Sequence, residues 1–101
     1  MPYVYILKCA DDSYYVGRTG DIERRLAQHQ DGTFGGYTAA RRPVQLLWHQ
    51  HFQTEDEAFK TEWKLKKWSR AKKEALIAGD FEGIHEIVKN ERKRRETVKR
   101  N

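Results

Sequence analysis

Two runs rich in β-branched and aromatic residues, YVYILKC at 3–9 and YYVGRT at 14–19, are separated only by Ala10-Asp11-Asp12-Ser13. Such residues suit a pleated, half-buried surface, and a short polar link turns the chain straight back on itself. The pair is therefore predicted to be a β-hairpin. With Ala10–Asp12 as its loop, Leu7 falls opposite Tyr15 and Tyr5 opposite Gly17. Side chains alternate along a strand, so in this register Tyr5 and Tyr15 project from one sheet face. A loop longer or shorter by a single residue would put them on opposite faces. With both tyrosines on one face, Gly17 would leave space between the two rings for a substrate. Simple packing is the competing reading, because aromatic residues are common on strands.

The rest of the chain supplies partners for the hairpin. Residues 21–30, DIERRLAQHQ, are good helix formers stopped by Asp31-Gly32. The stretch 31–43, DGTFGGYTAARRP, reads as a loop. Residues 44–52 read as a third strand. Thr54 opens a helix through a capping box with Glu57 and runs to about Lys67. Ser69 can cap a further helix ended near Gly79. Residues 81–100 begin with Ile84, Ile87 and Val88 on one stripe and end in a basic, weakly anchored tail. The order β-β-α-β-α-α predicts an α+β fold: a small three-stranded antiparallel sheet flanked by helices. One domain is expected over 1–80, with a helical, basic extension over 81–101.

Charge narrows the function classes. The chain carries 20 Lys/Arg against 15 Asp/Glu, a net +5. Residues 60–73 hold seven Lys/Arg around the single acid Glu62, and residues 89–101 hold seven more with two acids. Such blocks suit phosphate backbones, although solvated helix faces and tails look the same in composition. No apolar run approaches a membrane span, and Lys8, Asp11 and Asp12 interrupt any early leader. The lone Cys9 excludes an intrachain disulfide or a zinc cluster. A cytoplasmic protein is expected.

Three polar groups stand where apolar ones belong. On the helix 54–67, with Phe59 at 0°, Trp63 falls about +40°, Ala58 about −100°, Leu65 about −120° and Glu62 about −60°. Glu62 thus lies within the apolar arc, where a carboxylate must be paired, hydrogen-bonded or metal-bound. Lys66 lies close by but can snorkel. On the helix 21–30, Arg25 and His29 are four apart beside the stripe formed by Ile22 and Leu26, while Arg24 points elsewhere. A helix-end imidazolium meeting the macrodipole is the competing reading for His29. His49 and His51 share a strand face without a third ligand.

These residues, taken in order, resemble the GIY-YIG nuclease superfamily. The series runs through Tyr3-Val4-Tyr5, Tyr15-Val16-Gly17, Arg25, His29, Gly35-Gly36-Tyr37-Thr38, Arg41-Arg42-Pro43 and Glu62, and covers about residues 2–78. The best match is to the small stand-alone bacterial members. The resemblance implies hydrolysis of phosphodiester bonds with one divalent ion, Mg²⁺ or Mn²⁺, held by Glu62. It implies that Tyr5 or Tyr15 positions or deprotonates water, that Arg25 stabilises the crowded phosphate, and that His29 assists proton transfer. Arg18, Arg41, Arg42, Lys66 and Lys67 are expected to grip phosphates.

The resemblance has two departures. The first motif has Tyr3 in place of its glycine, and Glu74 to Ile77 stand where several members carry an asparagine. The expected function is a metal-dependent DNA endonuclease, structure- or damage-related as in DNA repair rather than sequence-specific. A catalytically weak or inactive nucleic-acid-binding module remains the alternative. DNA, branched or damaged, is the expected partner, with RNA and a protein partner left open and no membrane.

Overall fold

The structure is a computed structural model that describes residues 2–79. The chain divides into two compact units after Lys67. The first contains β1 (Tyr3–Lys8), β2 (Tyr14–Thr19), α1 (Ile22–Asp31), α2 (Gly36–Ala39), β3 (Gln45–His51) and α3 (Glu55–Lys67). The described part of the second is α4 (Arg70–Ala78). The helix and basic extension expected beyond residue 80 lie outside the described residues. Among the described residues, no helix is long and apolar enough to cross a membrane.

The hairpin closes as its alternation requires. The Cys9 amide donates to the Ser13 carbonyl at 2.8 Å, and the Asp12 amide to the Cys9 carbonyl at 3.0 Å. Asp12 takes a left-handed φ of 66°, which a short-looped aspartate tolerates. Tyr5 pairs with Gly17 and Leu7 with Tyr15. β3 pairs antiparallel with the other edge of β1, giving the order β2-β1-β3 with a register shift between Ile6 and Leu7. This is the expected three-stranded antiparallel sheet. Its central strand is buried through Val4, Tyr5, Ile6 and Leu7.

The two sheet faces receive different helices. Tyr5, Leu7, Cys9 and Val44 form a cluster on one face, and Ile22 and Leu26 of α1 pack against it with Tyr15 and Leu46. Val4, Ile6 and Val16 alternate to the other face. There α3 packs on β1 and β2 and buries Ala58 and Leu65. Side-chain caps fix the helix starts: Asp21 accepts from the Arg24 amide, Thr54 Oγ1 from the Glu57 amide at 3.1 Å, and Ser69 from the Lys72 amide. Gln30 ties the end of α1 to Val44, the residue before β3, by donating to its carbonyl at 2.6 Å and accepting from its amide.

Three expectations change. The segment 31–43 is not wholly a loop, since Gly35 and Gly36, both at positive φ, lead into the one-turn α2. The apolar arc of α3 is displaced: Phe59 and Trp63 are 53% and 56% exposed. Small Ala58 lets the helix lie close on a narrow sheet, and that turns both rings outward. Gly17, lastly, does not leave room for a substrate. A Cβ there would collide with the Tyr5 hydroxyl and sit 2.5 Å from its Cζ. The missing side chain accommodates the Tyr5 ring itself.

Gly17→Ala is therefore expected to destabilise the fold by about 1–3 kcal/mol through overpacking. Urea denaturation measures it, and a stability equal to wild type would show that the Tyr5 ring can move aside without cost.

Candidate active site

The site is built around a buried chain of polar side chains. The Tyr5 hydroxyl and His29 Nε2 are hydrogen-bonded at 2.8 Å, and His29 Nδ1 and Thr38 Oγ1 likewise at 2.8 Å. His29 and Thr38 are buried, so the chain links the central strand to α1 and α2. A neutral imidazole carries one proton for its two nitrogens. Either His29 donates from Nδ1 to Thr38 and accepts from Tyr5, or both bonds run the other way.

Electrostatics decides the charge state. Burial, helped by the Arg25 charge, lowers the His29 pKa from 6.5 to about 4. His29 is thus neutral near pH 7, which overturns the reading of a helix-end imidazolium. Burial pushes the Tyr5 hydroxyl up to about 12, against the Arg25 guanidinium, which hydrogen-bonds and lowers it; the nearby Tyr15 and Glu62 raise it further. Tyr15 is also raised, mainly by burial, with Lys66 and Arg25 opposing and Glu62 adding to the rise. The charges of Arg25 on α1 and Glu62 on α3 therefore both act on the two tyrosines.

Glu62 is 15% exposed and balanced by two cations. Arg18 Nε lies 3.4 Å from Oε1, and Lys66 Nζ 3.1 Å from Oε2. Arg18 also reaches Glu55 at 3.1 Å. Arg25 donates from Nη1 to the Arg18 carbonyl at 3.2 Å and from Nε to Gln28 Oε1. These contacts join α1, β2 and α3 around the edge strand.

The other expected phosphate contacts are engaged elsewhere. Arg41 donates to Asp11 at 3.0 Å and to the Tyr37 carbonyl, and Arg42 to the Ala39 carbonyl. Arg41 thus ties the hairpin loop to the α2 segment. Lys67 Nζ lies 3.5 Å above the Trp63 ring. His49 and His51 pack against Tyr3, with ring centroids 6.1 and 5.0 Å away. Sequence reasoning gave no role to Thr38, Phe34 or Tyr37. Only the glycine pair before Tyr37-Thr38 marked a turn that brings Thr38 back onto His29.

Comparison with known proteins matches residues 1–75 to the GIY-YIG catalytic domain. The chain belongs to the GIY-YIG catalytic domain family. It is 44% identical to a UPF0213 protein of Bacillus pumilus, over 86% of this chain and 92% of that one. It is 43% identical to a UPF0213 protein of Halobacterium salinarum, over 76% of this chain and all of that one. Two NMR structures are similar. The UPF0213 protein BH0048 of Bacillus halodurans has a TM-score of 0.52 at 42% identity, covering 77% of this chain and 84% of that one. The protein EF2693 of E. faecalis has a TM-score of 0.55 at 43% identity, covering 76% and 82%.

GIY-YIG nucleases typically use a divalent metal, and the donor set here can be tested against one. Among the described residues there is no group of three or more His, Cys, Asp and Glu side chains able to hold an ion. A dedicated protein cage is therefore absent there. Mg²⁺ commonly takes one or two carboxylates and completes its shell with water and substrate phosphate. Glu62 fits that role, and an incoming ion would take the place of Arg18 or Lys66 on one oxygen.

The buried imidazole also makes stability depend on pH. The unfolded chain binds a proton below about 6.5 that folded His29 refuses down to about 4. The contribution is thus fully present above 6.5 and is lost as pH falls through this window. It amounts to on the order of 3 kcal/mol. His29→Gln, which retains donor and acceptor groups, is expected to flatten the dependence of urea midpoint on pH between 6.5 and 4. An equally steep profile in the variant would place the titrating group elsewhere.

Proposed function

We propose that the protein is a divalent-metal-dependent endonuclease that hydrolyses phosphodiester bonds in DNA, branched or damaged DNA in particular. The observation that carries this reading is the 2.8 Å bond between the Tyr5 hydroxyl and His29, set within reach of the charges of Arg25 and Glu62. Hydrolysis needs a proton removed from water, charge stabilised on phosphate, and a leaving oxygen protonated.

Tyr5 at about 12 is a poor phenolate base near neutral pH. A relay avoids the phenolate. Water attacks phosphorus, its proton passes to the Tyr5 oxygen, and the Tyr5 proton passes to His29 Nε2. This direction requires His29 to carry its resting proton on Nδ1, donated to Thr38. Tyr15, beside the same imidazole, orients the water. Arg25 faces the charge that accumulates on the phosphate, and Arg18 and Lys66 turn from Glu62 to phosphate oxygens. The P–O bond to the leaving oxygen then breaks, that oxygen takes its proton from solvent, and His29, a weak base when buried, returns its extra proton through the Tyr5 hydroxyl to solvent. Glu62 would hold one Mg²⁺ or Mn²⁺, which supplies charge neutralisation at the phosphate and a more acidic water. Arg and Lys contacts to phosphates favour recognition of DNA shape over base sequence.

The alternative is a nucleic-acid-binding module without catalysis. It draws support from Glu62, whose two oxygens are already neutralised by Arg18 and Lys66. Supercoiled, branched and single-stranded DNA incubated with Mg²⁺ or Mn²⁺ separates the readings. Cleavage is expected to vanish in Glu62→Ala and to fall roughly 10²- to 10³-fold in Arg25→Ala, the scale of losing one charge-stabilising donor. Exposed Arg24→Ala should stay near wild type. Cleavage that survives Glu62→Ala would sink the assignment, and tight binding without any cleavage would favour the module.

A further inference from the structure

The described residues include four exposed large hydrophobic side chains: Phe34, Tyr37, Phe59 and Trp63. Each has a cation over its ring. Arg25 lies 4.7 Å from the Phe34 centroid, Arg41 3.8 Å from Tyr37, Arg18 5.4 Å from Phe59 and Lys67 3.5 Å from Trp63. Water-exposed aromatic rings cost free energy, and a soluble protein commonly places them singly or covers them. Here they recur with cations on both sides of the candidate site.

The contacts form a continuous trail through three of these rings, and Trp63 lies one turn beyond Phe59 on α3. On α3, Phe59 meets Arg18, whose carbonyl accepts from Arg25. Arg25 lies over Phe34, and Phe34 packs edge-on against Tyr15 with centroids 6.3 Å apart. Tyr15 stacks on Tyr37 at 6.2 Å and 22°. Glu62, bound to Arg18, sits near the middle. Alternating π faces and cations are the means by which proteins hold single strands: bases stack on the rings and phosphates meet the charges. A continuous duplex offers no free base faces to such rings.

We propose that this trail is a binding track for unpaired nucleotides, with Phe59 and Trp63 stacking bases on one side of the scissile phosphate and Phe34 and Tyr37 on the other. The inference rests on the nuclease reading for the position of that phosphate and deepens it by naming an unpaired strand as the substrate. Arg18 and Arg25 are the cations nearest the centre of the track. The outer cations, Arg41 and Lys67, lie on the rings at rest and move to phosphates when bases take their place. Hydrophobic and cationic surface is then complementary to a strand at every step.

The full chain, kept in EDTA so that no cleavage occurs, is titrated against labelled oligothymidylate, oligouridylate and a duplex of equal length, with fluorescence anisotropy as the readout. Phe59→Ala, Trp63→Ala and Tyr37→Ala are each expected to weaken strand binding roughly 5- to 150-fold and duplex binding less than about twofold. The salt slope for strands should not change, because no phosphate contact is lost. Trp63→Phe keeps a π face and should retain most affinity, whereas Trp63→Leu should behave like Trp63→Ala. Losses on either strand support the track. Equal losses on strand and duplex, no loss at all, or wild-type affinity in Trp63→Leu would overturn it. Failure of the nuclease reading would appear separately, as strand binding of this pattern without metal-dependent cleavage.

Discussion

The arrangement depends first on the Tyr5 ring lying across Gly17. Tyr5 sits on the central strand, where a side chain must either pack or find a hydrogen-bond partner. Its ring packs in the space a Cβ at Gly17 would take, and its hydroxyl reaches His29. His29 passes the constraint to Thr38, and thereby to the turn formed after Gly35-Gly36. One residue without a side chain thus orients a tyrosine, a histidine tautomer and a loop. Breaking the chain at any member would leave a buried polar atom unpaired, and no described buried side-chain polar atom is unpaired as it stands.

Charge is distributed with the same economy. Arg25 lowers the proton affinity of both tyrosines, yet burial outweighs it and both remain protonated. At about 12, Tyr5 would be ionised to roughly one part in 10⁴–10⁵ at pH 7–8. Protonated Tyr5 can still pass a proton, since its hydroxyl is already bonded to a neutral imidazole. Burial, with the Arg25 charge adding to it, prevents His29 from charging at rest, which keeps Nε2 available in the tautomer that donates to Thr38. Desolvation and one guanidinium thus hold two neutral groups in the state a relay needs.

Much of this was legible because local rules and tertiary structure agree. The polar loop Ala10–Asp12 set the hairpin register, and the register put Tyr5 and Tyr15 on one face. Thr54 and Ser69 marked helix starts because their hydroxyls satisfy backbone amides wherever the helix later packs. Glu62 stood out as a carboxylate in the wrong arc. The readings that failed needed three-dimensional knowledge. A helical wheel centred on Phe59 assumes that the largest apolar residues face inward, whereas the narrow sheet accepts Ala58 and Leu65. Gly17 looked like an opening because the direction of the Tyr5 ring is not written in alternation. The charge on His29 depended on burial by Phe34 and Tyr15, whose ring centroids lie 4.3 and 5.2 Å away.

A single carboxylate among cations also explains why net charge is a poor guide here. Residues 1–88 hold 13 Lys/Arg and 13 Asp/Glu, so that stretch is formally neutral. Its local fields are nevertheless strong, because Arg18, Arg25 and Lys66 gather around Glu62 and the tyrosines. At rest the cations neutralise the acid and one another's repulsion is offset by it. On the nuclease reading, a phosphate arriving at the edge of β2 would offer Arg18 and Lys66 a second anion and so free a Glu62 oxygen for a divalent ion. Ion and phosphate would then bind together more favourably than either alone, because each would remove a charge the other otherwise faces. Such a site would not need a preformed metal cage, since its substrate would supply the missing ligands.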